Sequence, residues 1–305
     1  MAEVFASGSL DLTDFDASRI SDGFVGTWKG GPFVFEDLSY DQYAELQWIY
    51  RVEFLSSVLL GKNVDFTDNG LVGTVSAYFE AYWQDGEPSI YWGLTGISMD
   101  AARLFQVSRT DGTKDDMALL EDVLSGDDRF DLSDYRDVVN GYAGRDVIVG
   151  NGGADVLSGN AGADRLLGGV DDDALNGNGN ADVLKGQRGD DVLRGGRGDD
   201  ALLGGRGQDR LIGGVGEDAF LYTENDGRDV VVDFADDVDT LVFADCLWTG
   251  DLTRREVVRT FATVENGDVV FDFGDGDRLI VRDVTYRRDL FDDVRIVSDL
   301  GDAIA

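Results

Sequence analysis

The sequence contains no histidine. Its absence excludes Ser-His-Asp and Cys-His nucleophile systems and any zinc site that relies on imidazole. Cysteine is almost as scarce: Cys246 stands alone, so there is no intrachain disulfide, and stability outside a cell must come from another source. Metal ions are one such source. Basic residues are few, with 26 Lys and Arg against 61 Asp and Glu and a formal net charge of -35. The short clusters Arg254-Arg255 and Arg287-Arg288 cannot outweigh that acidic field, so nucleic acid is not an expected partner. Divalent cations are the natural counter-charge. Met1 to Ile20 lacks a basic start followed by an apolar run, and no stretch is long and apolar enough to span a bilayer. Neither a cleaved N-terminal leader nor a transmembrane segment is expected. H-E-x-x-H, G-x-S-x-G and phosphate-loop patterns are also missing, which weighs against an enzyme.

Composition divides the 305 residues into three regions, and the expected fold class is mainly β throughout. Residues 1–122 are aromatic-rich and predict a β-rich globular domain. Gly73 to Trp83 alternates apolar and polar residues, and the Asp85-Gly86 turn leads into a second run, Ile90 to Met99, as in a β-hairpin. Phe33–Phe35 and Gln47–Leu60 are too densely apolar to choose between strand and helix. Met117, Leu120 and Leu124 are spaced for one face of a short helix ending at Gly126. Tyr78, Tyr82, Trp83, Tyr91 and Trp92 gather around the hairpin, where aromatic pairs stabilise a sheet; a sugar-stacking platform is the functional alternative. A carboxylate pair drawn from Glu80, Asp85 and Glu87 is the corresponding enzymatic alternative, a carbohydrate-active one.

Residues 123–221 are rich in Gly and Asp and carry a strict nine-residue period. From Gly141 the copies read GYAGRDVIV, GNGGADVLS, GNAGADRLL, GGVDDDALN, GNGNADVLK, GQRGDDVLR, GGRGDDALL, GGRGQDRLI and GGVGEDAFL, preceded by two degenerate copies from Val123. Asp occupies every sixth position: Asp128, Asp137, Asp146, Asp155, Asp164, Asp173, Asp182, Asp191, Asp200, Asp209 and Asp218. Every eighth position is apolar, which supplies one inward-pointing side chain per copy from a short, three-residue strand. Glycines recur at the first, second and fourth positions, where positive φ values would allow a tight turn with exposed carbonyls. Acidic turns stacked at a strand spacing of about 4.8 Å repel by roughly 3 kcal/mol per pair at an effective dielectric near 20. Cations held between the turns would reverse that sign, because Ca2+ accepts six to eight hard oxygen ligands.

The pattern G-G-x-G-x-D-x-U-x resembles the RTX (repeats-in-toxin) hemolysin-type nonapeptide repeat. The resemblance implies a parallel β-roll in which two nonapeptides make one coil, with several calcium ions bound between turns eighteen residues apart. It assigns metal-binding roles to Asp146, Asp164, Asp182, Asp200 and Asp218 along one edge, and to Asp155, Asp173, Asp191 and Asp209 along the other, a row that begins at Asp137, in a terminal copy that reads as a cap. The glycines that would complete the shell are Gly150, Gly153, Gly159, Gly162, Gly168, Gly177, Gly186, Gly189, Gly195, Gly198, Gly204, Gly207, Gly213 and Gly216. Departures are Asp171 and Asn180 at fourth positions, Tyr142 and Gln187 at second positions, and Arg188, Arg197 and Arg206 at third positions. Asp and Asn tolerate left-handed backbone, and the arginines read as solvated partners of Asp190 and Asp199.

Residues 222–305 hold two strand-like runs, Gly227–Phe243 and Gly267–Val281, which could pair and cap the open end of the roll. By the same resemblance this flank would carry an uncleaved type I secretion signal, which makes the secretion machinery a partner and the protein secreted, extracellular or attached to a cell surface. The reading that follows is a secreted, non-enzymatic calcium-binding component of a matrix, surface or adhesion system. The alternative places a carbohydrate-binding or carbohydrate-active function in residues 1–122, with an extracellular polysaccharide as partner.

Overall fold

The computed structural model describes residues 121–298 and 300, apart from 285, together with the backbone of strands between residues 3 and 100. The chain forms two compact units, Met1–Leu132 and Ser133–Ala305.

The first unit contains β1 (Glu3–Ala6), β2 (Phe24–Trp28), β3 (Val34–Phe35), β4 (Leu38–Ser39), β5 (Leu46–Tyr50), β6 (Leu55–Thr67), β7 (Gly70–Gln84), β8 (Glu87–Thr95), β9 (Met99–Asp100) and β10 (Arg129–Asp131). Its main sheet runs β2-β5-β6-β7-β8-β1-β10, antiparallel except where β1 meets β10. The expected hairpin is β7 with β8, closed by the pair Gln84↔Glu87 on either side of residues 85 and 86. The second strand is shorter than expected, and Met99 instead begins β9, which pairs with β7. The ambiguous runs resolve as strands β3, β5 and β6. Of the expected short helix, Glu121–Val123 are helical, while its start lies outside the described residues. So do the aromatic and acidic side chains around the hairpin.

In the second unit each repeat contributes one strand, beginning directly after its Asp. These are β11 (Val138–Asn140), β12 (Val147–Gly152), β13 (Val156–Ala161), β14 (Arg165–Val170), β15 (Ala174–Gly179), β16 (Val183–Arg188), β17 (Val192–Arg197), β18 (Ala201–Arg206), β19 (Arg210–Val215) and β20 (Ala219–Tyr222). Most span six residues rather than the expected three, because the ladder continues into the first three positions of the next copy. Even-numbered strands from β12 form one parallel sheet and odd-numbered strands from β11 the other. Each strand pairs with the one eighteen residues on, as in Leu166↔Leu184 and Leu175↔Leu193. A coil is therefore two nonapeptides, and the sheets face each other across a column of eighth-position side chains. Ile148, Leu157, Leu166, Leu175, Leu184, Leu193, Leu202, Leu211 and Phe220 are all fully buried.

The flank does more than cap this column. β21 (Arg228–Val231) and β25 (Asp277–Val281) extend one sheet in parallel; β22 (Thr240–Ala244) and β26 (Val294–Val297) extend the other. The run 227–243 thus divides between the two sheets, and only its first half pairs with the run 267–281. Core columns pass through unbroken, Phe220↔Leu241↔Val294 on one side and Leu211↔Val231↔Val281 on the other. The hairpin of β23 (Ala262–Glu265) and β24 (Asp268–Gly274) completes the second sheet. A helix, Arg254–Phe261, begins on a reciprocal cap between Thr253 and Glu256 and buries Val257 and Val258. Among the described residues no helix is long and apolar enough to cross a membrane.

Candidate metal centre

Placing Asp immediately before each strand puts its carboxyl at the bend between turn and sheet, and there it is buried. Asp146, Asp155, Asp164, Asp173, Asp182, Asp191, Asp200, Asp209 and Asp218 are each at most 3% exposed. From Asp155 to Asp218, one carboxylate oxygen, Oδ1, accepts the backbone N–H of the Asp one coil earlier at 2.8–2.9 Å. Two rows result, Asp146-Asp164-Asp182-Asp200-Asp218 and Asp137-Asp155-Asp173-Asp191-Asp209. The other oxygen, Oδ2, of Asp155, Asp164, Asp173, Asp182, Asp191, Asp200 and Asp209 is buried and accepts no hydrogen bond. Buried polar atoms are nearly always satisfied, so a whole row of acceptors without a hydrogen-bond donor fits partnership with a cation.

The glycines explain where those oxygens point. Each first-position glycine, among them Gly150, Gly159, Gly168, Gly177, Gly186, Gly195, Gly204 and Gly213, sits against the Oδ2 of its own repeat's Asp. A Cβ on Gly177 would collide with Asp182 Oδ2 and lie 2.7 Å from the carbonyl oxygen of Gly195. Carboxylate and carbonyl oxygens converge on this spot with no donor between them. The expectation of positive φ is corrected here: first-position glycines have ordinary φ, and glycine is required because the oxygens occupy the space of its Cβ. Positive φ belongs to the second and fourth positions, as at Gly196 (φ 118) and at Gly153, Gly162, Gly189, Gly198, Gly207 and Gly216. The departures from glycine adopt it too: Tyr142 (φ 71), Asp171 (φ 80), Asn180 (φ 78) and Gln187 (φ 80).

The electrostatics agree. Burial pushes the carboxyls of Asp155 and Asp182 up to about 8, those of Asp173 and Asp200 to about 7, and those of Asp191 and Asp218 to about 6. The backbone N–H donors pull the other way, and neighbouring carboxylates in the same row add to the rise. No Lys or Arg forms an ion pair with these carboxylates among the described residues. All-oxygen donors and negative charge, with no ion-paired cation on these carboxylates among the described residues, are the donor chemistry of a hard divalent cation.

The RTX calcium-binding nonapeptide repeat matches in four copies, over residues 123–157, 149–184, 176–211 and 185–220. Residues 123–220 are RTX repeats. These repeats bind Ca2+, and the ladder of buried Asp lines their stacked turns. No curated protein matches the chain. Among solved structures the chain is similar to the extracellular lipase LipA from Serratia marcescens, at 19% identity over 57% of this chain and a TM-score of 0.32. The match spans 40% of that lipase's length.

Both RTX rows run beyond the last nonapeptide. Asp209 N–H donates to Asp229 Oδ1 at 3.0 Å, and Asp218 N–H donates to Asp239 Oδ1 at 3.0 Å. Asp229 and Asp239 are 0% and 4% exposed, and Asp229 Oδ2 accepts no hydrogen bond. Spacings of 20 and 21 residues hide them from a search for a period of nine. The legible signal is the triplet Asp-x-apolar, Asp229-Val230-Val231 and Asp239-Thr240-Leu241. The RTX turns also carry an outer, exposed ladder at the fifth position. Asp172 Oδ1 accepts from Asp190 N–H, Asp190 from Gln208 and Asp199 from Glu217, at 2.8–2.9 Å. Asp190 and Asp199 therefore bind the backbone of adjacent turns, and the expected ion pairs with Arg188, Arg197 and Arg206 do not form among the described residues.

Proposed function

We propose that this is a secreted calcium-binding protein whose roll stays open in the calcium-poor cytosol and closes outside the cell. The observation that carries the reading is the file of buried, hydrogen-bond-free Oδ2 atoms set against the first-position glycines, joined at Gly150, Gly168, Gly177 and Gly186 by the carbonyl oxygen of the glycine one coil on. In it, the sixth-position Asp residues from Asp146 to Asp218 are the carboxylate ligands, and the turn glycines from Gly150 to Gly216 contribute carbonyls. Extracellular modules bind calcium at about 10⁻⁴ to 10⁻³ M, far above cytosolic levels, so the acidic rows repel one another until export. Type I secretion machinery is the proposed route, with its signal in residues 222–305. A non-enzymatic role in a matrix, surface layer or adhesion system follows from the repeats and from the net charge of -35.

Co-expression of the full chain with a type I exporter tests this. Protease-sensitive protein in the cytosol and protease-resistant protein in calcium-containing medium are expected. A chain already protease-resistant in the cytosol, or one that never reaches the medium, would refute the proposal.

A further inference from the structure

Three further carboxylates converge away from the nonapeptide turns. Asp236 and Asp237 lie in the loop joining β21 to β22, and Asp293 immediately precedes β26. Oxygens of all three lie within 4.8 Å of one another. Asp236 and Asp237 are exposed, whereas Asp293 is only 6% exposed, and its buried Oδ2 accepts no hydrogen bond. None of the three forms an ion pair among the described residues. The backbone fixes the arrangement: Leu241 N–H donates to the carbonyl of Asp293 at 2.8 Å, holding the start of β26 against the start of β22. The Asp293 carboxyl meets the Asp236 carboxyl and accepts the backbone N–H of Asp237, while one of its buried oxygens has no donor. Like charges thus crowd a buried carboxylate as in the Asp rows, but from a loop and a strand end instead of a repeat.

We infer that Asp236, Asp237 and Asp293 form a discrete calcium site that ties the strand β26 to the β21–β22 loop. The side chains of the cluster are all carboxylates, not the nitrogen and sulfur sets that select zinc. Two adjacent carboxylates from one loop and one from across it make an uneven set, open to water on the exposed side. Calcium tolerates that geometry, whereas magnesium demands a near-ideal octahedron. The site goes beyond the repeat-bound ions, since it fastens an outermost strand of the roll that carries no nonapeptide.

The test uses the full chain in millimolar calcium. Asp236→Asn/Asp237→Asn keeps the shape of an exposed loop, and Asn accommodates the φ of 60 at position 237; Asp293→Asn removes the buried charge. Equilibrium dialysis with radioactive calcium should show one ion fewer in each variant, with the calcium-induced far-UV circular dichroism unchanged. Trypsin cleavage after the exposed Arg295 within β26 should be at least tenfold faster in the variants. An unchanged ion count and cleavage rate in Asp236→Asn/Asp237→Asn overturns the inference. So does an ion loss that appears only together with loss of the roll's calcium response, since the ion would then belong to the repeats.

Discussion

Stripped of calcium at pH 7.5, the full chain should lack the β signature of the roll, and acidification to pH 5 should restore part of it. In the folded, ion-free roll, burial raises the carboxyls of Asp155 and Asp182 from 3.8 to about 8 and those of Asp173 and Asp200 to about 7. The folded state then binds protons more readily than the unfolded chain, so these groups oppose folding least at low pH, and the penalty grows as pH rises from the unfolded value of 3.8 to the folded values of about 6 to 8. For Asp182 the linkage gives a cost on the order of 5 kcal/mol at pH 7.5 and about 2 kcal/mol at pH 5. Acidification therefore recovers roughly 3 kcal/mol at that residue alone. With calcium the sign reverses, because the ion competes with protons for the same oxygens, and the calcium midpoint should rise on going from pH 7.5 to pH 5. The assay is far-UV circular dichroism of resin-stripped protein at both values, followed by calcium titration at each; with a sequence pI near 4.1 the chain keeps its negative charge at pH 5. Identical stripped spectra at the two pH values, or a calcium midpoint that falls with acid, would refute the reasoning.

Other substitutions separate the contributions. Gly177→Ala drives a methyl into Asp182 Oδ2 and the Gly195 carbonyl and should cost about 1–3 kcal/mol in calcium. Gly126→Ala, with nothing within 4 Å, should leave the thermal midpoint unchanged. Asp239→Ala orphans the amides of Asp218 and Ala235, which donate to it at 3.0 and 2.8 Å, and should cost about 1–3 kcal/mol for each in urea denaturation with calcium. A wild-type curve for Asp239→Ala would show that the row ends at Asp218. Leu193→Ala, at a fully buried position, should destabilise the calcium-loaded roll by about 2–5 kcal/mol, while Val215→Ala, at 71% exposure, should stay within about 0.5 kcal/mol of wild type in the same denaturation.

The repeat was legible because each copy meets the same two demands, an inward apolar residue and a turn acid, so the sequence period equals half a coil. Leu166, Leu184 and Leu202 and the acids before them fall into columns on the sequence period alone. The first-position glycine was misread because composition cannot distinguish a glycine needed for positive φ from one needed for space; only the approach of Asp182 Oδ2 to Gly177 separates them. Asp229 and Asp239 were missed because the connecting loops lengthen the spacing while leaving the geometry of the row intact. Asp293 carries no sequence signal at all: it meets Asp236 and Asp237 through the parallel pairing of β22 with β26, a contact across more than fifty residues.

Amide hydrogen exchange at Asp164, Asp173, Asp182 and Asp191 tests most directly whether cations hold the acidic column together, since each of these N–H groups donates to the carboxylate one coil on. In millimolar calcium at pH 7.5 these amides should exchange at least about a thousandfold slower than in an open chain, and after calcium is stripped they should exchange at the open-chain rate. Equal protection in the loaded and the stripped protein would contradict the claim.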